Sequence, residues 1–321
     1  MTLAPVPARV LAALFFPAVA CAQESPQLQW DPGAEDCAEQ RATTQSQAID
    51  LTTIVIRQSP CVDYEAPLMY LLIGNERALL IDSGASDAPE VTGELTRIVG
   101  EYLARPDGSR LPLVVAHTHG HQDHRSGDAA LAALPDTRIV PHDSAGLRAF
   151  FGFDTWPDDE VRFDLGGREV VLRPTPGHHP DHVVFVDTRT RLLFSGDFYL
   201  PGRLLVDDID AYRDSANKMV EFVQTWGVQH ALGAHVEMNT AGELYGGGDT
   251  FHPHERQVAL PFDSREAAAL ERALADFNGF YNRHADYVIT NPVHNLIALA
   301  TGSIVVLVLL GWGARRFLRA R

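Results

Sequence analysis

Lysine is almost absent from this 321-residue chain: Lys218 is the only one, and 26 basic residues stand against 42 acidic ones, a formal charge of −16. Neutralising nucleic-acid phosphates requires a basic face, so a nucleic-acid partner is disfavoured. Cysteine is scarce too, at three residues, which excludes a disulfide-rich miniature scaffold. Charged residues make up 21% of the chain and apolar ones 45%, a balance that excludes general disorder and supplies a core for one large domain or two small ones. One residue type is in excess: of 14 histidines, eight fall between His117 and His182.

Long apolar runs are confined to the two ends. Residues 1–22 carry a single charge, Arg9, followed by an apolar run from Val10 to Ala20 that Pro17 interrupts. Ala20 and Ala22 flank Cys21 and form a small-residue cleavage site before Gln23, so residues 1–22 read as a signal peptide, too short to span a bilayer. Two alternatives are a lipidation site at Ala18-Val19-Ala20-Cys21 and an ordinary buried helix. At the other end, Leu296–Gly313 is an uncharged stretch of 18 residues, followed at once by Arg315, Arg316, Arg319 and Arg321. That length meets the minimum for a transmembrane helix, assigned to residues 295–313. The arginines make residues 314–321 a basic cytoplasmic tail and leave the body on the extracytoplasmic, periplasmic side of the cell membrane. A buried core helix and a sorting segment that is later removed are the alternatives. Setting aside Arg9 and the four terminal arginines leaves 21 basic residues against 42 acidic, so the body alone carries −21. Cys37 and Cys61 then form an even pair in an oxidising compartment, as a disulfide or as two free thiols.

Between the ends, short β-rich runs alternate with helical stretches. Leu51–Arg57, Leu68–Ile73 and Ala78–Ile81 read as strands, with Gly74-Asn75 turning between the last two. Val91, Leu95, Ile98, Val99 and Leu103 have helical spacing. A buried strand at Leu113–Ala116 and a helix over Arg125–Leu134 follow. Further strands are expected at Arg138–Val140, Val170–Leu172, Val183–Asp187, Leu192–Phe194 and Gln229–Leu232, with a helix over Ala211–Thr225. Strands come both as hairpins and singly between helices, which predicts layered α/β architecture with mixed sheets. Gly242–His254 reads as a loop and Ser264–Phe280 as a helix.

The chemistry is concentrated in Val114-Val115-Ala116-His117-Thr118-His119-Gly120-His121-Gln122-Asp123-His124. A buried strand ends, and four metal-ligating side chains follow within six residues. His119 and His121, two apart in an extended loop, point to one side and can share an ion; Asp123 and His124 can face a second. Unpaired buried imidazoles and carboxylates are costly, and a cation supplies the missing charge. Mixed nitrogen and oxygen donors suit Zn²⁺ first, with iron or manganese as alternatives.

This segment resembles the T-H-x-H-x-D-H signature of the metallo-β-lactamase superfamily. Thr175-Pro176-Gly177-His178, Phe194-Ser195-Gly196-Asp197 and Gly233-Ala234-His235 resemble its later ligand loops, and Ile81-Asp82-Ser83-Gly84 its strand-end aspartate that supports the metal loop without ligating. The match extends over roughly residues 50–240. The resemblance implies a four-layer αβ/βα sandwich, here with a C-terminal transmembrane helix, and two divalent metal ions. His119, His121 and His178 would hold one ion; Asp123, His124 and His235 the other; Asp197 would bridge them. Members specialised as β-lactamases often lack the bridging aspartate, so the full set leans toward the esterase, thioesterase and lactonase branches. The implied organisation is a signal peptide at 1–22, an N-terminal segment at 23–47, a catalytic domain at 48–262, a helical juxtamembrane segment at 263–294, then the span and tail.

The implied activity is hydrolysis: a metal-bound hydroxide attacks the carbonyl of a small-molecule ester, lactone, thioester or amide, while Asp123 orients the nucleophile and passes on its proton. The acidic body speaks against the family's nucleases, and the short helix and tail do not match the basic C-terminal domain of its glutathione thioesterases. A β-lactamase, an iron-dependent sulfur dioxygenase on the same fold and a non-catalytic metal- or ligand-binding module remain alternatives. Among the other histidines, His117 and His182 read as supports, His179 as incidental, and His252 and His254 as surface or pocket-wall residues. Tyr199 and Tyr245 are candidate pocket residues, and Phe150, Phe151, Phe153 and Trp156 in a pocket-forming loop suggest a partly hydrophobic acyl group.

Overall fold

The computed structural model describes residues 25–319; the expected signal peptide and the Cys21 lipidation site lie outside the described residues. Strand composition dictates the layering. Runs such as Ala78–Ile81 and Leu113–Ala116 are apolar at every position and buried on both faces, the signature of strands covered on both sides. The first sheet runs in sequence order through β1 (Thr44–Asp50), β2 (Thr53–Gln58), β3 (Leu68–Ile73), β4 (Ala78–Ile81), β5 (Leu113–Ala116) and β6 (Thr137–Ile139). Its first four strands pair antiparallel and its last three parallel. Helices α1 (Pro89–Leu103) and α2 (Asp128–Ala132) make the two parallel crossovers, and α3 (Ser144–Phe151) follows β6.

The second half of the chain supplies β7 (Val161–Asp164), β8 (Glu169–Pro174), β9 (Val183–Asp187), β10 (Leu192–Gly196), β11 (Arg203–Leu205), α4 (Ile209–Trp226), β12 (His230–Gly233), β13 (Ala259–Pro261), α5 (Ser264–Ala275), β14 (Tyr281–Arg283), β15 (Val288–Thr290) and α6 (Pro292–Arg319). The second sheet has the order β13-β12-β10-β9-β8-β7; β11, β15 and β14 make a small third sheet.

Alternation along each strand sorts side chains into three cores separating four layers. Val55, Tyr70, Leu79, Ile81, Val114 and Ala116 face Val170, Leu172, Phe185 and Phe194 between the sheets. Ile56, Leu71, Leu80 and Val115 point the other way, against Leu95, Ile98 and Val99 of α1. Val171, Val184, Val186 and Leu193 pack under α4 and α5. The expected αβ/βα sandwich is therefore present. Arg168 joins the sheets at one edge: it pairs with Asp187 at 2.8 Å, donates to the Thr53 hydroxyl at 2.8 Å and to the Ile73 carbonyl at 3.2 Å. A disulfide links Cys37 to Cys61 and ties the N-terminal segment to the β2–β3 loop.

Several boundaries differ from expectation. The first sheet starts at Thr44, inside the segment assigned as N-terminal, because Thr44–Asp50 pairs along β2. The helix expected over Arg125–Leu134 is only Asp128–Ala132, preceded by a single 3-10 turn at Gln122–His124. Residues 263–294, expected helical, are so over Ser264–Ala275; then Gly279, with φ of 86°, opens a hairpin of β14 and β15. That hairpin pairs with β11, so the layered body extends to Thr290. Helix α6 begins at Pro292, and Pro292–Leu310 is long and apolar enough to cross a membrane by length and composition.

Candidate metal centre

Every strand carrying a candidate ligand ends at the same edge of the sandwich, the one opposite Arg168. β4 and β5 run parallel, as do β10 and β12, so the segments after Ile81, Ala116, Gly196 and Gly233 emerge side by side. Asp82 turns the chain in the left-handed region, at φ of 63°. Its N–H donates to the Ala116 carbonyl and the next N–H, from Ser83, to the carbonyl of His124. Its carboxylate accepts the Thr118 N–H at 2.7 Å and the Thr118 hydroxyl at 3.0 Å, and lies 3.0 Å from His124 Nδ1. The aspartate thus fixes the histidine loop from beneath and directs His124 Nε2 outward.

Two donor groups result: His119, His121 and His178; and Asp123, His124, Asp197 and His235, with the donor atoms of each group within 4.8 Å of one another. In the first, His119 Nε2 lies 2.8 Å from His121 Nδ1, and His178 Nε2 lies 3.2 Å from each of those atoms. Tetrahedral coordination with metal–nitrogen distances of 2.0–2.1 Å spaces its donors by roughly 3.3 Å. In the second, Asp123 Oδ2 is 2.9 Å from His124 Nε2 and 3.2 Å from His235 Nε2. Asp197 lies between the groups: one oxygen is 3.4 Å from His178 Nε2, the other 3.4 Å from His235 Nε2 and 3.6 Å from His124 Nε2. Its Oδ1 is buried with no hydrogen-bond partner among the described residues. An orphaned carboxylate oxygen among converging ring nitrogens is the arrangement that a pair of divalent ions satisfies, so donor chemistry and spacing both fit the implied metals.

The electrostatics of the groups are unequal. Burial, helped by neighbouring His124 and His178, pushes the His119 pKa well down, so this ring is neutral. Burial acts the same way on His235 but is overridden by Asp197 and the hydrogen bond to Asp123, which hold it up at about 10. His124 is raised against its burial by Asp82, Asp123 and Asp197. Asp123 and Asp197, also buried, are held well below the usual carboxylate range by His124 and His235.

Glycines set two of these positions. Gly177, with φ of 144°, precedes His178, and a Cβ there would sit 2.4 Å from the Cβ of Tyr212 in α4. Gly196, with φ of 52°, precedes Asp197, and its Cβ would meet Thr118 at 2.6 Å. Both loops press against their neighbours too closely for a side chain.

The remaining histidines divide. His182 is buried, accepts or donates at Thr175 Oγ1 over 2.8 Å and stacks on the His119 ring. His117 Nε2 lies 2.8 Å from Asp128, which also accepts from the Ser83 hydroxyl. Both are supports. His179 is half-buried with its ring 5.0 Å from that of His121, on the wall of the centre. His252 is no surface residue: it is 2% exposed and stacks flat under Tyr245 at 4.2 Å. Tyr199 and Phe153 belong to the cores, not to a pocket. Sequence reasoning missed two partners that act through backbone carbonyls and so leave no side-chain signature: Leu205, 3.1 Å from His178 Nδ1, and Glu65, 3.2 Å from His235 Nδ1.

A family model for the metallo-beta-lactamase superfamily matches residues 63–226, just over half of the chain, and the chain belongs to that superfamily. Among individual relatives, it is 28% identical to a beta-lactamase-like protein 2 homolog of Drosophila melanogaster, over 53% of this chain and 61% of the relative. It is 27% identical to the acyl-coenzyme A thioesterase MBLAC2 of Homo sapiens, over 55% and 75% of the two chains. It is 34% identical to a hydroxyacylglutathione hydrolase of Rhodopseudomonas palustris, over 36% of this chain and 44% of the relative. The chain thus spans less than two thirds of the length of the fly and bacterial relatives. A metallo-beta-lactamase from Pontibacter korlensis superposes over 73% of this chain and all of its own, at a TM-score of 0.49 and 15% identity.

Proposed function

We propose that the protein is a membrane-anchored, extracytoplasmic hydrolase that uses two divalent metal ions, Zn²⁺ first, to open an ester, lactone, thioester or amide carbonyl. The observation that carries this reading is the pair of donor groups with Asp197 between them. His119, His121 and His178 would hold one ion, and Asp123, His124 and His235 the other, with Asp197 shared. Bound there, the ions supply an activated water and a Lewis acid for the carbonyl oxygen. Asp123 then orients the nucleophile, takes its proton and hands it to the departing oxygen, nitrogen or sulfur. Water contributes its oxygen to the acyl carbon and a proton to the leaving group, so no side-chain nucleophile is required. Relatives described as an acyl-coenzyme A thioesterase and as hydroxyacylglutathione hydrolases support carbonyl hydrolysis. The apolar part of α6, Pro292–Leu310, with arginines from Arg315 onward, supports anchoring with the body outside.

The test is metal analysis of the full chain together with turnover on a panel of esters, lactones, thioesters and β-lactams. Two equivalents of metal and turnover that Asp123→Ala lowers by a thousandfold or more, with the fold retained, are expected. Full metal loading with no turnover on any member would refute the hydrolase reading; iron with oxygen uptake would replace it with an oxidative one.

A further inference from the structure

A cavity of about 470 Å³ adjoins the first donor group, within the ~300–1,000 Å³ typical of small-ligand sites. Its apolar lining is Trp156, Pro157, Pro176, Gly177, Pro180 and Ala211. His178 and His179 form the side it shares with the metal centre. We propose that this cavity is the acyl subsite of the hydrolase, taking an uncharged hydrocarbon chain whose carbonyl lies at the metal centre; the inference rests on the hydrolase reading above.

Three features select that ligand chemistry. Prolines have no backbone N–H, and the N–H groups of Asp207, Asp208 and Ala211 are already bonded to the Gly177 carbonyl and the Asp208 side chain, so six of the ten lining residues offer no free main-chain donor to a polar acyl group. The prolines are also rigid, which keeps down the entropy lost when a chain is held against them. Trp156 is fixed from behind, packing edge-on against Phe153 at 5.5 Å, and Phe153 is itself part of the inter-sheet core. A broad apolar face is therefore presented in one orientation.

The charge at the rim points the same way. Asp207 and Asp208 are exposed at the mouth of the cavity, and Asp208 caps α4 by accepting the N–H groups of Asp210 and Ala211. The chain's one lysine, Lys218, is already paired with Asp158 and Asp214. An acyl chain ending in a carboxylate or phosphate meets like charge there, whereas a hydrocarbon end does not. Position sets the register: His178 Nδ1 is held by the Leu205 carbonyl at 3.1 Å, so its Nε2 faces the donor group while the ring flanks the cavity.

The experiment compares p-nitrophenyl acetate, p-nitrophenyl octanoate and the octanoate analogue bearing a terminal carboxylate, using the metal-loaded full chain in a detergent-free polymer. Each methylene entering carbon surroundings contributes up to roughly fourfold, equivalent to about 0.8 kcal/mol, so octanoate should exceed acetate in kcat/KM by tenfold or more. The terminal carboxylate should erase that gain. Trp156→Ala, which removes one wall, and Ala211→Leu, which fills the cavity from α4, should each bring the octanoate-to-acetate ratio toward one. Independently of turnover, octanoate should bind the metal-free full chain in titration calorimetry, and both variants should weaken that binding. Turnover with no chain-length preference, or with a preference that neither variant changes, would overturn the subsite and leave the hydrolase reading standing. Octanoate binding lost in both variants, without turnover on any substrate, would support the cavity and defeat the hydrolase reading.

Discussion

Replacing Asp82 by asparagine isolates the claim that a side chain outside both donor groups governs one of them. Asparagine tolerates the left-handed backbone that Asp82 adopts at φ of 63°, so the change adds no strain. Its amide oxygen can still accept the Thr118 N–H, which the carboxylate accepts at 2.7 Å. The other oxygen becomes an NH₂ facing His124 Nδ1, 3.0 Å away in a pair whose histidine is fully buried. A carboxylate there accepts from Nδ1–H and leaves Nε2 with a free lone pair toward Asp123 and Asp197. An amide donor favours the opposite tautomer and places the hydrogen on Nε2, where it blocks ligation. Losses of this kind cost 10–100-fold in metal affinity, about 1.4–2.7 kcal/mol. Competition against a chromophoric chelator should show the second-group affinity falling within that range, while the site formed by His119, His121 and His178 changes by a small factor. Equal losses at both sites, or no loss at either, would refute the reasoning, because only His124 touches the altered oxygen through a ring nitrogen.

Three further outcomes follow from other parts of the molecule. Arg168→Met should lower stability by about 3–5 kcal/mol, since it leaves the fully buried Asp187 without its cation. Thermal unfolding measures the loss, and metal content should be unchanged because Arg168 lies at the opposite edge. Metal binding should release protons: His235, held at about 10 without metal, must lose its proton to ligate, so affinity rises with pH up to about 10 and falls on acidification. In the metal-free protein the same raised pKa gives stability that is complete below pH ~6.5 and lost as pH climbs through 10, which urea titration at the two ends checks. Truncation after Asn291 removes α6 and should shift the chain from the carbonate-resistant membrane fraction to the soluble one; retention in the membrane would assign anchoring elsewhere.

The residues that the fold gathers into the two candidate donor groups were legible in the sequence because ligation demands specific side chains at specific spacings, and a strand end followed by His-x-His-x-Asp-His has few other uses. Strands buried on both faces, such as the one beginning Val183-Val184-Phe185-Val186, were legible as apolar runs. What escaped was set by tertiary pairing. β11, β14 and β15 have three residues each, too short for any periodicity to register. They exist because each completes the others' hydrogen bonds. β7 carried a usable signal, since Val161 and Phe163 are half-buried and alternate with exposed Arg162 and Asp164, the edge-strand pattern. The overlong helix after Ser264 could have been stopped at Asn278-Gly279, a turn dipeptide. The four aromatics between Phe150 and Trp156 read alike, yet Trp156 lines a cavity while Phe153 fills the core. Composition could not separate those two fates, because both burial and substrate contact reward the same side chains.

The two candidate donor groups also differ in charge, and in the proposed hydrolase that difference would orient the substrate. His119, His121 and His178 contribute no negative charge, whereas the second group contains Asp123 and Asp197, with Asp82 directly behind His124. Among the described residues, Asp197 is the carboxylate that lies within 3.4 Å of a ring nitrogen in each group. Cationic charge placed in the centre would therefore be compensated on the Asp123 side and left largely exposed on the His178 side. A carbonyl oxygen gathers negative charge as its carbon is attacked, and its stabilisation is greatest where positive charge is least compensated. That is the side shared with the Trp156 cavity. An acyl chain lying there would bring its carbonyl oxygen toward the histidine group and turn the leaving group toward Asp123, the residue proposed to return the proton. The position of the cavity and the asymmetry of the candidate ligands would thus favour the same substrate orientation.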